Sequence, residues 1–216
     1  MSAAVRLYTP AEAAAVSGVG VKAINNAIDK RIVKAGRHPA GSGGRSRSRA
    51  LTTDDLLRLK LWYEVGGVLS RERRERLFDA IRRQPGAKTV KADNLLIVDV
   101  AEARRQIAAR ARDLEAAEAM VRRAKAVMGG EPVFKGTRIP VRLIASMLAE
   151  GVDEAEVLEG YPKLDRRRLA LSRIWTAAHP RRGRPRSLKD RGFKLKSSKR
   201  VPLKGDPGPP KAGAAA

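Results

Sequence analysis

Apolar positions return at three- and four-residue intervals along most of this chain, and the breaks between them fall on cap and turn residues. Thr9-Pro10-Ala11-Glu12 reads as a helix start, with Thr9 as N-cap, Pro10 in the first turn and Glu12 returning to the cap. A short helix runs to about Val16, Ser17-Gly18-Val19 turns the chain, and a second helix carries Val21, Ile24 and Ile28 on one face. Thr52 starts a third helix with Leu56, Leu59 and Tyr63 along one side, ended by Gly66-Gly67. Ser70 starts a fourth through Leu77, Phe78 and Ile81, stopped at Gln84-Pro85-Gly86. Trp62 and Phe78 read as core. Residues 5–84 are thus expected to form one helical domain.

The pattern changes at Leu95–Val98, a continuous apolar run of β type. Asp99 caps a helix near 25 residues long, with Glu102 at the capping-box position. Val100, Ala103, Ile107, Leu114, Ala117 and Val121 follow heptad spacing. A lone strand and a narrow apolar stripe each need a partner, so residues 88–128 are expected to build a homodimer or higher oligomer through Leu96, Val98, Ile107, Leu114 and Val121. Packing within the same chain is the alternative.

Residues 129–141, "GGEPVFKGTRIPV", pose the question of a phosphate loop. That loop needs Lys after its last Gly, and here Lys135 precedes Gly136, while Pro132 removes one N–H. Pro132–Phe134 instead reads as an extended piece, Lys135-Gly136 as a turn, and Pro140 or Val141 as a helix start. The helix buries Val141, Ile144, Ala145 and Leu148, and Gly151 ends it. Asp153, with Glu156 in the box position, and then Asp165 cap two more helices; Tyr161-Pro162 separates them and Ala178-His179-Pro180 ends the last. The expected unit spans 129–179. Its middle helix carries Asp153, Glu154, Glu156 and Glu159, which phosphates would repel, so it suits a protein partner better than a groove. The fold class is mainly α.

Charge adds what periodicity cannot. The net charge is +23 over 216 residues, with a pI near 11.3, which directs the chain toward polyanions. Residues 180–216 hold twelve Lys or Arg and two Asp, leaving +10, with six Pro and no periodicity; this tail is expected to be extended and disordered when free. The second helix presents Lys22, Asn25, Asn26 and Lys30, types that bond phosphates and adenine edges. The Gly36–Ala50 connector adds Arg45, Arg47 and Arg49, as an arm on the DNA backbone or as a plain solvated linker. A plain helical hairpin is the other reading of the first two helices. No Cys is present and only His38 and His179 occur, so a His/Cys metal cluster, a Cys/His pair, a cofactor or enzymatic chemistry is not expected. No apolar run reaches membrane-spanning length and no signal-peptide core is visible, so a cytoplasmic protein is expected.

"GGEPVFKGTRIPV" followed by "LIASMLAEGVDEAEVLEGYPKL" resembles a small bacterial domain family long described as of unknown function and common in antitoxins. "YTPAEAAAVSGVGVKAINNAIDKRIV" is similar to a MerR-like helix-turn-helix. Joined to a basic tail, the two resemble a VapB-type antitoxin over residues 5–186. The resemblance implies binding to operator DNA through the N-terminal unit and inhibition of a PIN-domain ribonuclease toxin through the C-terminal region. On that reading Arg182, Arg184 and Arg186 face toxin carboxylates, and Leu188, Phe193 and Leu195 anchor in apolar pockets. "RRGRPR" also contains the Arg-Gly-Arg-Pro core of an AT-hook, so minor-groove DNA is a second destination for the same residues. A transcription regulator or nucleoid-associated protein without a toxin partner is the alternative function.

Overall fold

The computed structural model describes residues 6–37, 49–92 and 96–181 and is mainly helical. Residues 1–180 form one compact unit; the second, 181–216, is described only at Arg181. The tail residues Arg182, Arg184, Arg186, Leu188, Phe193 and Leu195 lie outside the described residues, as do Arg45 and Arg47.

Local chemistry sets most helix starts. Helix α1 (Pro10–Ser17) begins with a complete capping box: Thr9 accepts from the Glu12 amide while Glu12 accepts from the Thr9 amide at 2.7 Å. Gly18, at φ 78°, ends it in the left-handed region, and α2 (Val21–Asp29) follows after Gly20. A two-stranded ribbon comes next, β1 (Gly36–Arg37) antiparallel to β2 (Arg49–Ala50). Leu51 then bridges Tyr8 through two backbone hydrogen bonds of 2.8 and 2.9 Å. Helix α3 (Thr53–Glu64) has a second full capping box, Thr52 with Asp55, and α4 (Arg71–Arg83) starts on Ser70.

The expected lone strand has a partner in its own chain. β3 (Thr89–Lys91) pairs antiparallel with β4 (Ile97–Asp99), Val90 opposite Val98. The pair alternates, with Val90 and Val98 inward and Ile97 outward, so Ile97 and Val98 of the apolar run lie on opposite faces of a hairpin. Helix α5 (Val100–Ala119) is also shorter than its apolar spacing suggests. Val121 does not continue the helical stripe: it lies in β5 (Val121–Arg122), antiparallel to β6 (Val133–Phe134). Asp99 caps α5 through the Glu102 amide at 2.8 Å, but the Glu102 carboxylate turns to Arg105 and Gln106 rather than closing a box.

The dimerisation reading is corrected in its motive. Val98, Ile107 and Leu114 are buried inside this chain, with Leu96 packed beside them. Helix α5 lies against α1 and α3, and against α8 (Arg166–Ala178). Its apolar stripe is filled in cis, and a second copy is not needed to cover it.

Two apolar cores result. The first gathers Val16, Ile24, Leu51, Leu56, Leu59, Leu77, Val100, Ile107 and Leu114. The second gathers Phe134, Val141, Ile144, Leu148, Val157, Leu164, Leu169 and Trp175, from β6, α6 (Val141–Ala149), α7 (Glu154–Gly160) and α8. Helices α5 and α8 contribute to both, Leu114 and Ala178 to the first, Ala117 and Trp175 to the second. The segments 5–84, 88–128 and 129–179 are therefore packed on one another through shared helices. Asp165 caps α8 through the Arg168 amide at 2.7 Å; Asp153, expected to do the same for α7, makes no side-chain cap bond.

Candidate nucleic-acid interface

Helix α2 is amphipathic in burial as in sequence. Ile24 and Ala27 are fully buried, while Lys22, Asn26 and Lys30 are exposed and Asn25 is half-buried. Val21, expected on the apolar face, is 40% exposed instead. Tyr63 on α3 donates its hydroxyl to the Ala23 carbonyl at 2.8 Å, fixing α2 against α3. After α2 the chain reverses at Arg31, a non-glycine residue at φ 56°, held by Ile32 donating to Ala27 at 2.8 Å.

Arg49 takes a different part from the one expected. Its guanidinium donates to Asp29 at 2.8 Å and to Asn25 at 3.3 Å. It thereby clamps the β1–β2 ribbon onto α2 and orients the Asn25 amide. The cationic face beside it is supplied by Lys22, Lys30, Arg31 and Lys34, which are exposed and have no carboxylate partner among the described residues. Among the described residues, α2 and the turn after it thus present Lys and Asn side chains, and the nearby acid, Asp29, is occupied by Arg49.

A second polar constellation escaped the sequence reading. Arg6 donates to both Glu118 oxygens at 3.0 Å and to Glu115 at 3.3 Å. His179 Nε2 stands 3.6 Å from Glu118 Oε1, an ion-pair distance beyond hydrogen-bond reach, and that buried nitrogen has no hydrogen-bond partner among the described residues. His179 and then Arg6 hold the Glu118 carboxyl below the ordinary carboxylate range, against the opposing effect of burial. For Arg6, burial acts to lower the pKa, but the charge and hydrogen bond of Glu118 outweigh it and the net shift is upward. Glu12, Glu118 and His179 also bring ligand-type atoms within 4.8 Å of one another, a constellation not foreseen from two histidines. Glu12 is already held by the Thr9 amide and Glu118 by Arg6, so the guanidinium supplies the cationic charge here. The four residues come from the N-terminal arm, α1, α5 and the end of α8, and they tie the two cores together by polar contacts.

The "GGEPVFKGTRIPV" stretch is a strand–turn–helix junction. Val141 donates to the Pro132 carbonyl at 3.0 Å and Lys135 to the Met120 carbonyl at 2.8 Å. Gly136 turns at φ 78°, and the Thr137 hydroxyl donates to Phe134 at 3.0 Å while accepting from the Ile139 amide at 3.1 Å. Pro140 takes the position before the first helical residue, Val141. Asp153, just before α7, and Glu156 and Glu159 on it are exposed, and Glu154 pairs with Arg173 at 3.4 Å.

Comparison with known proteins follows this division. Residues 121–170, from β5 into α8, match the family "Protein of unknown function (DUF433)". Over nearly its whole length the chain is similar to "Uncharacterized protein y4eO" of Sinorhizobium fredii (strain NBRC 101917 / NGR234), 31% identical over 218 residues, covering 93% of this chain and 95% of that one. The chain belongs to the same family as that protein. No solved structure matches it.

Proposed function

We propose that this protein is the antitoxin of a type II toxin–antitoxin pair, a DNA-binding protein that also neutralises a PIN-domain ribonuclease. The observation that carries the DNA half is the α2 face: Lys22, Asn26 and Lys30 exposed, Asn25 oriented by Arg49, and a ribbon clamped alongside. Helix, short turn, helix and ribbon is the arrangement in which a second helix enters a major groove. The supporting strand of the toxin half is the GTRIPV junction, which lies in the DUF433 match, together with the acidic exposed face of α7 and the +10 tail. On this reading the protein has no catalytic activity of its own and works in the bacterial cytoplasm, nucleoid-associated when bound to DNA.

Inhibition falls to the C-terminal region, with the Arg182, Arg184 and Arg186 segment meeting the metal-binding carboxylates of the nuclease. A truncation after His179, co-expressed with the nuclease encoded beside it, tests this. Loss of growth rescue, with operator binding and abundance retained, supports tail-mediated inhibition; full rescue moves inhibition into residues 129–178. The second reading, a regulator without a toxin, rests on the same α2 face and the high positive charge. Purification of the protein from its native cells separates the two: a co-purifying small nuclease is expected for an antitoxin and absent for a lone regulator.

A further inference from the structure

The turn that does not form a phosphate loop nevertheless borders a cavity of about 510 Å³. Arg122 from β5, Arg138 from the turn and Lys163 from the α7–α8 connection line it. These three cations come from separate parts of the chain, all are exposed, and none has a carboxylate partner among the described residues. No acidic side chain among the described residues lines the cavity. Val127 and Ile139 supply an apolar wall, and the Gly136 and Arg138 amides donate to no described residue. Three uncompensated like charges around one cavity repel one another, and an anion relieves that repulsion. A phosphomonoester carries close to two negative charges at neutral pH and offers three oxygens to forked guanidinium donors; a carboxylate offers one charge and two oxygens. Cavities of this size hold more than a bare phosphate, and the apolar wall suits a nucleobase or ribose.

We propose that this cavity binds a nucleoside phosphate, with the phosphate between Arg122, Arg138 and Lys163 and the nucleoside against Val127 and Ile139. The phosphate belongs either to a free nucleotide or to the end of a single strand. The site shares no residue with the α2 face, so it stands whether or not operator binding does.

Calorimetry on the full chain tests it, with adenosine 5′-monophosphate, inorganic phosphate and a hexaglutamate peptide as probes. Saturable binding of the nucleotide is expected, weaker by about tenfold for inorganic phosphate, which leaves the apolar wall unused. Arg122→Gln with Arg138→Gln should weaken nucleotide binding by about tenfold or more. Circular dichroism of that double variant should match the parent, since both side chains are exposed. Arg71→Gln with Arg83→Gln, an equal loss of charge on α4, should leave it unchanged. A 5′-phosphorylated pentaadenylate RNA distinguishes the sources. Affinity equal to the mononucleotide assigns the site to free nucleotides; a gain that vanishes in the Arg122/Arg138 variant assigns it to strand ends. Absence of saturable nucleotide binding, equal weakening by the α4 variant, or tighter binding of hexaglutamate than of nucleotide would each overturn the proposal.

Discussion

The two cores of this protein solve the same packing problem with different materials. The first is assembled from pieces far apart in sequence: Tyr8 is stitched to Leu51, and α1 is covered by α5 and α8. The second is more nearly continuous, running from β6 through α6, α7 and α8, with α5 adding Ala117. The first turns a Lys and Asn face outward; the second turns out an acidic helix on one element and a basic cavity on others. The family match covering residues 121–170 follows the second core, whose packing is local enough to stay together as a unit of sequence. The lesson is that sequence continuity and structural independence are different properties, because α5 and α8 serve both cores.

That sharing can be broken most severely at Leu114, fully buried on α5. Leu114→Ala should cost about 2–5 kcal/mol. Because α5 is common to both cores, urea unfolding followed by Trp62 and by Trp175 fluorescence in single-tryptophan variants should shift together. A shift confined to one reporter would mean the cores unfold separately. The parent chain should also elute as a monomer in light scattering, since Ile107 and Leu114 are already covered in cis.

Next in size is the contrast between the exposed faces. Lys22→Ala with Asn26→Ala should weaken specific DNA binding, by about 1–3 kcal/mol for each base edge left unbonded. The melting temperature should hardly move, because both side chains are exposed. An unchanged footprint on the protein's own upstream DNA would refute the assignment of α2.

The polar tie between the cores should contribute less. Glu118→Gln is expected to cost about 1 kcal/mol at pH 7. Its carboxyl is held below the value near 4.3 of an unfolded glutamate, so its stabilising contribution is fully present above that pH. The contribution is lost as pH falls through the depressed folded value, so the gap between parent and variant should close in acid. The groups facing it among the described residues are Arg6, Glu12 and His179. A gap independent of pH would remove charge from the energetics of this junction.

The smallest comparison sets two aspartates side by side. Asp165→Ala removes a real cap and should cost about 1 kcal/mol, whereas Asp153→Ala, with no cap bond to lose, should cost a few tenths. Equal costs in thermal melts would show that helix-end charge, rather than the cap bond, is what matters.

What the chain reveals before folding is what depends on neighbours in sequence. Thr9, Thr52, Ser70, Asp99 and Asp165 cap helices because a side chain reaching an amide three residues on needs nothing else. The apolar stripe of α5 is visible too, but periodicity reports that a face is covered and not by what. Ile107 and Leu114 therefore suggest a second copy although their own chain covers them. Val121 keeps the heptad spacing of a helix, though its backbone pairs with Phe134. Thr89–Lys91 carries one apolar residue between two polar ones, too little pattern to announce the strand that pairs with Ile97–Asp99. Of the candidate interface, the Lys and Asn face of α2 is legible. The clamp by Arg49 is not, since Arg49 and Asp29 stand 20 residues apart in the chain. Arg6 and Glu118, 112 residues apart, and the cations around the Gly136 turn meet only after folding.

One consequence reaches the bench. The strand that closes the GTRIPV turn is not in the motif: Val121 and Arg122 pair with Phe134 and Val133, and Lys135 donates to Met120. A fragment cut at residue 129 would expose a bare edge at β6, uncover Phe134 and discard Arg122, one wall of the basic cavity. Any transplanted version of this module would therefore have to begin no later than Ala117, and a cut at the glycines should be the more damaging of the two.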